Sequence, residues 1–485
     1  MNFSSSTFIY IFLPLFLLLY PVADRLGKKN ARLQRMRIPE IVTVLFSLGF
    51  YAWACFDNVF FLLIIIVATY AAGQLIRRWQ DARAGEPSAA PEDRLRAVTP
   101  GAFLCGLMTV FLLAVLYHYK YAGTWKMNVW DIHVIPVITP LGLSFLVFSV
   151  ISYLVDVYRG CHAGDFLDVA VYISFFPKII SGPIVTWKQW QGIGETCQMS
   201  VDNACAGVER IVVGLAKKVI LADYFGSVIH ATNYDWQSAW LISILYTFQI
   251  YFDFSGYSDI AIGIARYVGL RFEENFNFPY SSVSITEFWK RWHISLGAWL
   301  REYVYIPLGG NRKGKRRTLI NLFIVMLVSG VWHGAGLGYL AWGAMHGACM
   351  VIERIVRDKK WYKKIPSCVK WLVTMFIVMV GWQFFRANSL SDAITHVGRM
   401  FNIGTSAELT FTWQYYVTPK LIAMLVIAFV GSTVFRWIQD LIQRKEHQRS
   451  KSFQVIQMVL SLCLFAVTLI CITNTTYSPF IYFQY

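Results

Sequence analysis

Acidic residues are scarce in this chain, and paired cysteines are absent. Asp and Glu number 28 among 485 residues against 44 Lys and Arg, and charged residues of either sign make up only 15%. A soluble domain carries about a quarter, so a large solvated surface is excluded. The nine cysteines, Cys55, Cys105, Cys161, Cys197, Cys205, Cys349, Cys368, Cys463 and Cys471, stand singly, mostly within or beside apolar segments, with no C-x-x-C spacing. That excludes a zinc ribbon and a disulfide framework. Repeats of fixed period are also missing, and one low-complexity stretch, residues 82–91, is the only candidate linker. Oxygen-rich metal spacing does not occur, and no metal is expected.

What the chain has in quantity is apolar side chain, 56% of its residues, with a positive mean hydropathy. Residues 10–19, 41–72 and 455–472 read as spanning or near-spanning stretches, since a bilayer core takes about 20 mostly apolar residues. The pattern predicts an all-α polytopic membrane protein with roughly 11–12 transmembrane or re-entrant helices. The net charge of +16 raises nucleic acid as a partner, and the placement of that charge removes it. Basic residues come in short runs between apolar segments, not interleaved with aromatics on a soluble face. By the positive-inside rule the runs at 25–37, 77–96, 312–317, 354–364 and 436–451 are cytoplasmic. Threading the segments through them puts the N-terminus, the 389–416 loop and the C-terminus outside, and Arg399 is the only Lys or Arg in that loop. The first residues lack a basic region, and no clear small-residue cleavage site follows the first apolar run, which reads as a retained helix. One integrated membrane domain is expected in three stretches: N-terminal helices at 1–116, a central core dense in glycine and aromatics at 117–350, and C-terminal helices with an outer tail at 351–485.

Two stretches of the core carry polar groups that a lipid-facing helix would not tolerate. Ser284-Ile-Thr-Glu-Phe-Trp-Lys-Arg-Trp-His293-Ile-Ser-Leu is followed by Val331-Trp-His333-Gly-Ala-Gly. An ionisable side chain at the bilayer centre costs roughly 2.5–3.5 kcal/mol, so such groups face a cavity, a partner or a substrate. Residues 286–302 read as one helix holding Glu287, Lys290, Arg291, His293, Arg301 and Glu302, too polar for a simple span and suited to lining a wet cavity. Trp332 sits beside His333 in the same lining. Pro307 and the Gly309-Gly310 pair then break helix before the basic run.

His333 lies about 15 residues, roughly 22 Å, into a span starting near Thr318. A neutral imidazole there can take a proton from a hydroxyl nucleophile, while Gly330, Gly334, Gly336 and Gly338 let a ligand or another helix come close. The alternative is a histidine bonded to a carbonyl at a small-residue helix contact. His293 either orients a substrate or is a satisfied buried polar residue. His346 reads as packing, and His118, His162, His230, His396 and His447 sit in loops or at ends without a pattern. Asp253 and Asp259 suggest a second class of function, a proton-coupled transporter; against it, Asp259 and Arg266 share a face and are expected to neutralise each other. A scaffold for a secretion complex is the third class. The basic run holding Arg312, Lys313, Lys315 and Arg316 is either a plain topology signal or the site that holds the phosphates of a carrier such as coenzyme A.

Nine motifs along the chain resemble those of the membrane-bound O-acyltransferase family, in its bacterial alginate and peptidoglycan O-acetylation branch. They lie at residues 3–14, 140–145, 152–160, 175–184, 251–259, 288–296, 305–312, 332–334 and 381–387, in family order. Among them are Phe288-Trp-Lys-Arg-Trp-His-Ile-Ser-Leu, Tyr305-Ile-Pro-Leu-Gly-Gly-Asn-Arg and Trp332-His-Gly. The resemblance implies an O-acetyltransferase with a ring of helices around a central tunnel, acetyl-CoA as the cytoplasmic donor, His333 as catalytic histidine and His293 as its support. It places the protein in the bacterial inner membrane. The tail Phe480-Ile-Tyr482-Phe-Gln-Tyr485 resembles the short aromatic tail of the related D-alanine export machinery, which implies Tyr482, or else Tyr485, as an acyl relay. The final sugar transfer then falls to a periplasmic SGNH-type partner within a polysaccharide biosynthesis complex.

Overall fold

The computed structural model describes residues 3–54, 56–84, 99–121, 139–180, 182–195, 198–231, 235–404, 412–434 and 451–474. Among the described residues every regular element is helical. Five helices among the described residues are long and apolar enough to cross a membrane: Phe8–Lys29, Asp57–Ala82, Pro100–Tyr121, Ser367–Arg386 and Val455–Thr473. Among the described residues the other helices are shorter or more polar and are not plain spans. Only 6% of Val455–Thr473 is buried, so its valines and leucines face outward, as lipid contact requires. The apolar run at 41–72 is two helices, Ile38–Ala54 and Asp57–Ala84, instead of one; Asp57 in the first turn of the second marks the break.

Two compact units divide the chain: residues 1–208 with 261–272, and residues 209–260 with 273–485. The first is knit by phenylalanine. Phe176 meets Phe12, Phe16 and Phe50 at ring-centroid distances of 5.2, 5.1 and 5.6 Å. Arg37, left-handed at φ 50°, ends the short helix Ala31–Met36 and holds three carboxylates: Asp168 at 2.7 Å, Asp165 at 2.9 Å and Glu40 at 3.2 Å. Asp165 and Asp168 also form the capping box that opens helix Phe166–Ser174.

The second unit contains both histidine motifs. Helices Gly314–His333 and Leu337–Val356 run back on each other through Gly334, Ala335 and Gly336. Glycine sets their spacing. A Cβ on Gly343 would lie 2.5 Å from the Met326 carbonyl oxygen, and one on Gly330 would strike the carbonyl oxygen of Tyr339. Helix Ser367–Arg386 closes on the pair by the same device: a Cβ on Gly338 would lie 2.7 Å from the Phe384 carbonyl oxygen, and one on Gly381 2.6 Å from His346 Nε2. The helix contact that the sequence offered for these glycines is therefore present.

Candidate active site

The expected single helix over 286–302 is broken at its middle. Ser284 caps helix Ile285–Arg291 by accepting the Glu287 N–H at 3.0 Å. Glu287 accepts the Val283 N–H at 3.0 Å and pairs with Arg291 at 2.9 Å. The chain then turns through His293 in the left-handed region, φ 47°, and resumes as Ile294–Leu300 and a π turn, Arg301–Tyr305. A non-glycine residue held there costs on the order of 1–3 kcal/mol unless its surroundings fix it. They do so here through Asn275. Its backbone carbonyl accepts the Ile294 N–H at 2.9 Å, and its side-chain oxygen accepts from the Ser295 N–H at 3.3 Å and the Ser295 hydroxyl at 2.9 Å.

His293 is buried, its Nδ1 3.1 Å from the Asn275 side-chain oxygen. Phe254 meets its ring edge-on at 4.7 Å. His333 is the last residue of a helix that begins at Gly314, not near Thr318. Twenty residues at about 1.5 Å each span roughly 30 Å, so the imidazole stands at the far end of the helix from its basic first turn. It too is buried, with Trp332, Trp342 and Phe385 around its ring at 4.6, 5.1 and 5.0 Å. Trp332 lies 6.4 Å from the His293 ring. One indole thus joins the two imidazoles inside an aromatic shell, the low-dielectric setting in which a proton acceptor and a polarised carbonyl interact most strongly.

The other proposed lining residues divide. Glu287 and Arg291 satisfy each other, and Lys290 is exposed. Arg312 and Lys313, just before the His333 helix, and Lys315 and Arg316, in its first turn, are all exposed. His346 is fully buried between Trp289 at 5.1 Å and Trp342 at 5.3 Å, in keeping with packing. His396, expected in a loop or at an end, is buried in helix Leu390–Met400, 3.0 Å from the Ser243 hydroxyl and 3.3 Å from Arg386. That amphipathic helix turns it inward. His447, Tyr482 and Tyr485 lie outside the described residues.

Asp259 pairs with different partners from the one expected. Lys217 at 2.6 Å and Arg210 at 2.7 Å neutralise it, in place of Arg266. Lys218, next along the π turn Lys217–Ala222, bridges Asp253 at 2.7 Å and Asp223 at 2.6 Å. Successive helical residues point about 100° apart, so neighbouring lysines serve separate carboxylates. Breaking such a pair strands a buried charge at a cost of about 3–5 kcal/mol. Lys218→Met is expected to lose that much stability in detergent unfolding, and Lys217→Met clearly less, because Arg210 stays on Asp259. Equal losses would contradict this assignment.

Comparison with known proteins gives these groups a context. The pattern defining the membrane-bound O-acyltransferase family matches residues 98–385. The chain belongs to that family. An alginate O-acetylase of Pseudomonas putida, named as probable, is 35% identical over the whole of both chains. Its counterpart in Pseudomonas aeruginosa is 36% identical over 90% of this chain and 82% of its own. A peptidoglycan O-acetyltransferase of Helicobacter pylori is 32% identical over 81% and 78% respectively. This membrane-bound O-acyltransferase is therefore a multi-pass acyl-transfer enzyme.

Sequence reasoning missed Asn275. It lies in Glu274-Asn-Phe-Asn-Phe-Pro279, where a polar residue recurring at every second position in an apolar setting was the available signal.

Proposed function

We propose that this enzyme moves acetyl groups from cytoplasmic acetyl-CoA across the bacterial inner membrane, for O-acetylation of an extracytoplasmic polysaccharide such as alginate or peptidoglycan. The observation that carries the reading is the pair of buried imidazoles, His293 and His333, both within ring contact of Trp332, in a chain whose relatives over most of its length are named for alginate and peptidoglycan O-acetylation. His333 takes the proton of an acceptor hydroxyl as its oxygen attacks the thioester carbonyl. The tetrahedral intermediate collapses to the ester, and the coenzyme A thiolate leaves and takes up a proton. His293 supports that step.

Arg312, Lys313, Lys315 and Arg316 hold the phosphates of the donor on the cytoplasmic side. Their exposure and charge fit that task. With both termini outside, Tyr482 receives the acetyl group as a phenyl ester, and a periplasmic SGNH-type protein passes it to the sugar.

The donor is tested with radiolabelled acetyl-CoA on proteoliposomes holding the full chain. Transfer of label to a hydroxyl acceptor is expected, and its absence overturns the assignment. Replacing the four basic residues by alanine is expected to raise KM for acetyl-CoA about tenfold, at the 0.2–1 kcal/mol typical of each exposed ionic contact. Acetyl-pantetheine, which lacks the phosphates, is expected to react equally with both proteins. An unchanged KM for acetyl-CoA removes the cluster from donor binding.

A further inference from the structure

Asn275 is buried at 0% exposure and meets three partners through one oxygen. The Ser295 backbone N–H can only donate, so the amide atom facing it must be oxygen, which leaves the amide nitrogen to donate to the Ser258 hydroxyl at 3.1 Å. The same oxygen stands 3.1 Å from His293 Nδ1. Two lone pairs would repel at that distance, so Nδ1 carries the proton. In a neutral ring the lone pair is then on Nε2, and that atom is buried with no hydrogen-bond partner among the described residues.

The backbone points the same way. Asn275 ties Ile294 through its carbonyl and Ser295 through its side chain, and the left-handed turn at His293 is what lets one residue hold both. Phe254 against the imidazole limits its rotation. A histidine fixed in position and in tautomer is prepared for a single role, as a metal-bound or triad histidine is by its own second partner.

We propose that Asn275 is the positioning residue that locks His293 in its Nδ1–H tautomer, so that His293 enters acyl transfer as a hydrogen-bond acceptor at Nε2 and not as a donor. This rests on the acyl-transfer reading for the catalytic consequence, but not for the tautomer. The reacting hydroxyl has one proton and gives it to His333, the general base, so Nε2 of His293 accepts its hydrogen bond from another O–H or N–H of the bound substrates and holds them in place for the attack.

Two measurements test it. In the full chain labelled with ¹⁵N-histidine and held in nanodiscs, long-range proton–nitrogen correlation shows which ring nitrogen bears hydrogen, with His293→Gln used to assign the signal. The expected result is hydrogen on Nδ1; hydrogen on Nε2 overturns the proposal whether or not the protein transfers acetyl. The second is the pH profile of acetyl-CoA turnover. Asn275→Ala is expected to lower kcat by about tenfold or more. Asn275→Asp keeps the acceptor oxygen and adds a negative charge, which favours the imidazolium. It is expected to recover part of the rate and to move the acid limb of the profile upward by about one pH unit. Equal losses in both variants with an unmoved acid limb mean a purely structural residue and overturn the proposal. Absence of transfer in the unaltered protein would instead count against the proposed function and leave the nitrogen measurement standing.

Discussion

His333→Ala is expected to lower acetyl transfer from acetyl-CoA by about 10²-fold or more while leaving the protein folded. The magnitude follows from losing a general base, and the location separates that loss from a packing defect. His333 is the terminal residue of its helix, so no intrahelical turn lies beyond it to unwind. The closest backbone approach in the hairpin is made by Gly330 and Gly343, one turn away from the ring's own contact with Trp342. Removal of the imidazole still leaves a void beside Trp332, Trp342 and Phe385, so His333→Phe is the companion variant. It refills the aromatic shell and cannot take a proton. Both variants should be equally inactive, with unfolding midpoints that differ. Near-normal transfer in either refutes the role.

The second large effect is expected at the tail. Tyr482→Phe removes one oxygen and keeps the ring, so any function as an aromatic interface anchor survives. If the phenol is the relay, acetylation of the polymer falls to background. The chemistry favours such a relay, because a phenol with pKa near 10 is a better leaving group than a sugar alcohol, which makes onward transfer downhill. Acetyl content of the secreted polymer is the measurement. Unaltered content eliminates Tyr482, and Tyr485→Phe then tests the remaining tyrosine of the tail.

The membrane class and the histidine motifs were legible because both depend on local composition. Apolar runs announce spans such as Val455–Thr473, and a His in Trp332-His-Gly stands out against them. What could not be read depended on contacts between residues distant in sequence. Arg266 sits seven residues from Asp259 on one helix, yet the charges that neutralise Asp259 come from Arg210 and Lys217, more than 40 residues earlier. The helix expected over 286–302 breaks at His293 because Asn275 stabilises a left-handed residue there. No helical periodicity signals that, since each half keeps its own amphipathic pattern. Asn275 itself showed only as one polar position in an alternating stretch, and its importance comes from folding back onto residues 293–295.

The two helices that meet at Gly330 and Gly343 touch backbone to backbone. At that crossing point there are no side chains to rearrange, so the helices cannot slide there by rotamer changes as an ordinary leucine-packed pair can. His333, at the end of this rigid hairpin, is a stationary anvil. Thioester and alcohol must travel to it, and whatever moves during turnover has to be the substrates or the surrounding segments.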